Sequence, residues 1–190
     1  MKIKCLIAWI KIIMDFYIRN VGSPRKGGNC DTLVNQFIDK VDGDVDLYYL
    51  NDLDMNYCDA CLSCQKGECI KDDDLNKLTT EMLDADYLIF STPIWFGEMS
   101  AQAKTFVDRF YQVAQNPDKS FEGMKVINIV TQANPADLFN KYADNWKILP
   151  YGHLGMEVVD TVIAKTGPSK GDKKVLAEAI EKLEKLAENI

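Results

Sequence analysis
The sequence predicts an α/β fold of three layers, a doubly wound five-stranded parallel sheet in the order 2-1-3-4-5. Two patterns point to it. Short β-rich apolar runs alternate with segments of helical period from about residue 15 to the C-terminus, which is the arrangement of βαβ units. The apolar runs are nearly continuous rather than alternating, as a sheet covered on both faces requires. Right-handed crossovers then give the strand order and place a ligand crevice outside the carboxyl ends of the strands.

The strand candidates in chain order are Phe16–Val21, Val45–Leu50, Tyr87–Thr92, Val126–Thr131 and Val158–Ala164. Between them, Leu33, Val34, Phe37, Ile38 and Val41 recur at helical spacing, as do Ala103, Phe106, Val107, Phe110 and Ala114. A last stripe runs through Val175, Leu176, Ala179, Ile180, Leu183 and Leu186. Each stripe reads as the sheet-facing side of a helix. A chain of 190 residues buries roughly 70% of the surface its unfolded form exposes, so neither disulfide nor metal is needed merely to fold. Residues 15–190 read as one domain with a cysteine-rich insertion at about 54–73. Residues 1–14 read as an extension that is an extra strand, a tail, or a product of the chosen start codon.

With 22 Lys+Arg against 29 Asp+Glu the chain carries a net charge of −7, which disfavours broad attraction to nucleic acid or anionic lipid. An anionic ligand needs a local site. The apolar run Cys5–Ile18 is broken by Lys11 and Asp15, is too short to span a membrane, and is followed by no small-residue cleavage site. A cytoplasmic location is therefore the expectation. In such a reducing compartment, closely spaced cysteines more often mean a metal or redox site than disulfides.

Three loops fall at the carboxyl edge of the strands. Gly22-Ser23-Pro24-Arg25-Lys26-Gly27-Gly28-Asn29-Cys30-Asp31-Thr32 joins the first strand to the first helix and has the character of a phosphate cradle. Glycines allow tight turns, Ser23, Asn29 and Thr32 offer short donors, and Arg25 adds a charge-assisted bond beside the helix dipole. The plainer alternative is a polar turn with an Asn or Asp helix cap. Ser91–Ser100 (STPIWFGEMS) follows the third strand. Trp95 and Phe96 there could border a planar ring, or else plug the core or a subunit contact. Thr131 opens a third loop, Thr131–Pro135, that could complete a pocket.

GSPRKGGN at 22–29 and TPIWFGEMSAQAKTFVDRF at 92–110 resemble the two FMN loops of the NADPH-dependent FMN reductase family, in the flavodoxin-like superfamily. The resemblance runs from about residue 15 to the C-terminus. It implies a flavodoxin-like fold with FMN as cofactor and NAD(P)H as co-substrate. It places Ser23, Arg25, Asn29, Cys30 and Thr32 around the FMN phosphate, and Pro93, Ile94, Trp95, Phe96 and Gly97 around the isoalloxazine. Cys30 departs from the Ser or Thr usual after the Asn, and thiols are poor donors. Val21 stands between Asn20 and Gly22, where the family more often has Asn-Gly-Ser.

Cys58, Cys61, Cys64 and Cys69 form a C-x2-C-x2-C-x4-C run, close to the bacterial ferredoxin spacing but with a longer last gap and Ile70 in place of proline. It resembles the cysteine motif of iron–sulfur flavoproteins, a branch of the same family in which four thiolates hold one [4Fe–4S] cluster. Zinc and a structural or redox thiol loop stay open beside it. His153 is the sole histidine, giving His-based triads little support; it reads as a surface or helix-end residue. Asp72, Asp73 and Asp74 read as a helix cap rather than a metal site. Lys173–Glu188 reads as a solvated helix face.

The expected function is hydride transfer from NAD(P)H to FMN and on to a second acceptor, a small molecule or a protein such as ferredoxin. The cofactor carries the chemistry, so no protein acid, base or nucleophile is nominated. The rivals are a non-enzymatic flavin and iron–sulfur electron carrier, and a zinc-binding regulatory module with a degenerate flavin site. By family likeness a homodimer or homotetramer is expected.

Overall fold
The computed structural model describes residues 16–134 and 137–190, so residues 1–14 and their three readings lie outside it. Five strands, β1 (Phe16–Val21), β2 (Asp44–Tyr49), β3 (Tyr87–Trp95), β5 (Lys125–Gln132) and β6 (Glu157–Lys165), pair in parallel in the order β2-β1-β3-β5-β6. This is the expected 2-1-3-4-5 order, renumbered because a two-residue strand, β4 (Glu98–Met99), pairs antiparallel with the end of β3.

The sheet is covered on both sides because its strands alternate two apolar faces. Ile18, Leu88, Phe90, Val126 and Val130 point into one core, with Leu75 and Leu78 of α2 (Asp74–Glu81), Ala103, Phe106 and Val107 of α3 (Ala101–Asp108), and Ala143 of α5 (Asn140–Asn145). Tyr17, Val21, Ile89, Ile127, Ile129 and Val162 point the other way, against Leu33, Val34 and Phe37 of α1 (Asn29–Ile38) and Leu183 of α6 (Ala177–Ala187). The two sheet edges are wetter. Most of β2 and much of β6 is exposed or half-buried, since an edge strand has a neighbour on one side only.

Two elements differ from the sequence reading. The stripe from Ala103 to Ala114 is split at Arg109–Phe110 into α3 and a short α4 (Tyr111–Ala114), and Arg109 is taken out of the helix surface into a buried ion pair. The third strand runs on past Thr92 to Trp95 and turns back through Phe96 and Gly97, whose φ angles of 50° and 88° suit a two-residue hairpin. An aromatic residue at positive φ is uncommon, which is why nothing in the local sequence announces this turn.

Candidate functional site
The carboxyl edge of the sheet is where β1 and β3 part to opposite sides, the switch point at which ligands bind in such folds. The first loop is held there by its backbone. Gly22 N donates to Ser91 O at 2.7 Å, and Ser100 Oγ donates to Gly22 O at 2.5 Å. A Cβ on Gly22 would stand 2.8 Å from Ala103 Cβ and 3.0 Å from Ser91 O, so only glycine fits between α3 and β3. Ser100 also caps α3 by accepting from Ala103 N, and Thr92 Oγ1 accepts from Ser100 N at 3.1 Å. First loop, hairpin and α3 therefore form one cross-bonded unit.

The turn into α1 is braced by Asp31. Its carboxylate accepts from Gly27 N at 2.6 Å, Asn35 Nδ2 at 3.1 Å and Tyr49 Oη at 2.8 Å. Burial and then this bond push the Tyr49 phenol up. Gly28, at the cap itself, supplies no side-chain hydrogen bond to the first turn of α1. The helix thus starts with a braced turn and Gly28 at its cap, so the Asn or Asp cap of the plainer reading does not begin it.

The structure separates the eleven flavin-loop candidates. Arg25, Asn29, Pro93, Ile94, Trp95 and Thr131 line one open cleft of about 230 Å³. Ser23 is buried, and its Oγ accepts from Arg25 N at 3.3 Å, bracing the turn. Cys30 turns inward, its Sγ 3.2 Å from Thr131 Oγ1, and burial pushes the thiol up. Thr32 is half-buried beneath Gly171, where a Cβ would come within 2.7 Å of Thr32 Oγ1. Phe96 stands fully exposed at the hairpin tip with Gly97, neither of them lining the cleft.

Asn29 lines the cleft with its carboxamide already engaged. Nδ2 donates to Ser169 O at 3.0 Å, while Oδ1 accepts from Ser169 Oγ at 3.0 Å and Gly171 N at 2.6 Å. The far wall is a fourth loop that the sequence reading passed over, Thr166-Gly167-Pro168-Ser169 after β6, with Gln132 and Ala133 beside it. A Gly-Pro pair directly after the last apolar run was the available signal.

The cysteine run builds a second, separate pocket. Cys58, Cys61, Cys64 and Cys69 all line it, together with Lys71, Arg109, Tyr111 and Gln112. Cys58 and Cys61 are exposed and Cys64 is buried; burial, ahead of the neighbouring thiols, pushes Cys64 up. Among the described residues, no three His, Cys, Asp or Glu side chains converge on one point as ligands of a single ion. The loop is stapled to the core by Arg109, whose Nη2 donates to Asp73 Oδ1 at 3.0 Å and whose Nη1 donates to Asn56 O at 2.9 Å. Arg109 Nη2 also lies 3.6 Å from Cys69 Sγ. Asp73 caps α2 as expected, accepting from Asn76 N at 3.0 Å, and accepts from Asn56 N at 3.0 Å as well. Burial alone would push this carboxyl up, but Arg109 and the two backbone N–H groups more than offset it and hold it below the usual range. His153 is exposed on a single turn near the start of β6.

Residues 18–166 match the family model described as NADPH-dependent FMN reductase. The chain belongs to the NADPH-dependent FMN reductase family. Membership makes it an NAD(P)H-dependent FMN oxidoreductase, with FMN as its flavin. This FMN reductase is 27% identical over 172 residues to an iron–sulfur flavoprotein of Archaeoglobus fulgidus, spanning 85% of this chain and 78% of that protein. It is 33% identical over 92 residues to an iron–sulfur flavoprotein of Methanosarcina thermophila, a match over 46% of this chain and about half (48%) of that relative. Its fold is similar to that of an NAD(P)H:quinone oxidoreductase of Methanothermobacter marburgensis, at a TM-score of 0.73 and 15% identity over 93% of this chain and 96% of the other. Among the described residues no helix is long and apolar enough to cross a membrane.

Proposed function
We propose that this protein takes a hydride from NAD(P)H onto FMN seated in the carboxyl-edge cleft and hands the electrons to a second acceptor, with Cys58, Cys61, Cys64 and Cys69 holding a [4Fe–4S] cluster. The observation that carries the flavin part is the cleft itself. It joins a cationic side chain, Arg25, beside the uncapped start of α1 to a flat apolar wall of Pro93, Ile94 and Trp95. A phosphate suits the first end and a ring system the second. In this reading Ser23 and Thr32 shape the turn from behind, Cys30 and Thr131 seal its floor, and Phe96 and Gly97 make the rim. FMN supplies the hydride acceptor and the choice between one- and two-electron steps; the protein binds it, orients it and excludes water from one of its faces.

The cluster part rests on the donor set. Four thiols line one pocket, and their C-x2-C-x2-C-x4-C spacing is close to that of bacterial ferredoxins. The likeness to two iron–sulfur flavoproteins supports the same choice. The pocket that the thiols line is small, about 20 Å³, and Cys58 and Cys61 stand exposed at it. The acceptor is a small molecule or a protein such as ferredoxin, the setting is cytoplasmic, and a homodimer or homotetramer would cover Phe96.

The test is anaerobic purification with iron, zinc and flavin assays on one sample, followed by steady-state NAD(P)H oxidation. One FMN and about four irons per chain, with turnover, is the expected result. Flavin without iron after attempted reconstitution removes the cluster and leaves the FMN reductase. Flavin and iron without nicotinamide turnover makes the protein an electron carrier instead.

A further inference from the structure
The cysteine pocket contains a side chain that its fold does not explain. Gln112, the second residue of α4, is only 4% exposed, yet neither its Nε2 nor its Oε1 has a hydrogen-bond partner. Burying an amide in this state is costly for each unmet group, so such a residue calls for a missing partner. Gln112 lies three residues after Arg109, shares its face, and lines the pocket with the four thiols.

Arg109 is committed elsewhere. Its guanidinium pairs with Asp73, and its Nη groups are taken up by Asp73, Asn56 O and the Cys69 sulfur. Arg109 Nε is buried without a partner, but Gln112 is the side chain there whose polar groups are all unmet, Nε2 and Oε1 alike. Resting on the cluster reading above, we infer that Gln112 is a positioning residue for the cluster: its carboxamide donates a hydrogen bond to a cluster or cysteine sulfur and raises the cluster's reduction potential. Reduction adds negative charge to the sulfurs, and an N–H aimed at them favours the reduced form. The Gln112 side of the pocket thereby acts on redox poise while holding no ligand itself.

The test uses full-length protein reconstituted anaerobically, in its native form and as Gln112→Leu and Gln112→Glu. Iron content and the cluster and FMN potentials are read in the same spectroelectrochemical titration. The expected result is four-iron protein in all three. Gln112→Leu shifts the one-electron equilibrium of the cluster about tenfold toward the oxidised form, about 59 mV lower. Gln112→Glu shifts it at least as far, and the FMN potential stays put in both. Four-iron variants with an unchanged cluster potential overturn the inference and leave the cluster reading standing. Loss of iron from both folded variants makes Gln112 a structural residue and also overturns it. Native protein that takes up no iron overturns the cluster reading, and this inference with it.

Discussion
The flavin cleft and the cysteine pocket are built by opposite strategies. The cleft grows from strand ends: Gly22, Ser91, Thr92 and Ser100 are locked together by backbone and short side-chain bonds, so its position follows from the sheet. The pocket grows from an insertion with little regular structure of its own, in which Ala60 and Leu62 sit at positive φ and a buried ion pair to Arg109, just past α3, is one of several ties to the core. They lie toward opposite ends of α3, an eight-residue helix about 12 Å long, and share no lining residue. A rigid edge suits a cofactor that must be met by two substrates in turn. An irregular loop tied down by side chains at Arg109, Gln115, Asn116 and Lys119 suits a cofactor that has to be assembled in place.

The sharpest way to break this contrast is at the staple. Asp73→Ala leaves Arg109 buried and unpaired and removes the cap of α2, and is expected to cost about 3–5 kcal/mol in urea unfolding. A loss under 1 kcal/mol would show that the insertion is not tied to the core. The pH dependence has a defined sign. Because the Asp73 carboxyl is held below its ordinary value in the folded state, its contribution is complete above the unfolded pKa of about 4 and is lost as pH falls through the lowered folded value. The stability gap between the native protein and Asp73→Asn should therefore narrow only below about pH 4.

At the cleft the matching change is Gly22→Ala, which forces a methyl against Ala103 Cβ and Ser91 O. About 1–3 kcal/mol of stability should go, with weaker FMN binding by fluorescence titration. If only the affinity falls, the edge is softer than its bonding suggests. Smaller again is Arg25→Ala. This residue is exposed at the cleft wall, and its loss should weaken FMN about tenfold with no change in unfolding midpoint. The mildest probe is alkylation of apo protein followed by peptide mass spectrometry. Cys58 and Cys61 should react first and the buried Cys30 and Cys64 last, and reconstitution with iron should protect Cys58 and Cys61.

Much of this was legible beforehand, for particular reasons. All five parallel strands stand within a residue or so of their apolar runs, except that β3 continues to Trp95, because two-sided burial writes itself into composition. The four cysteines stand out by their spacing and both carboxyl-edge loops by their turn residues, while the flavin reading of those loops comes from the family resemblance. What stayed hidden depends on partners far along the chain. Asn29 looks like a ligand donor in isolation but is met by Ser169 and Gly171. Arg109 and Gln112 look like the polar face of a helix until Asp73 and the thiol loop fold over them. The Phe96–Gly97 hairpin escapes because a bulky residue at positive φ has no local signature.

The bonds from Asn29 to Ser169 and Gly171 bridge 140 and 142 positions of sequence. They close the flavin crevice with the first loop and the last, so that corner cannot form until β6 has docked on β5 and brought the terminal loop across. Contacts of such long range are slow to gather, because the intervening chain must be ordered first. With FMN seated there as proposed, quenching of its fluorescence during refolding is expected to time the arrival of the final strand.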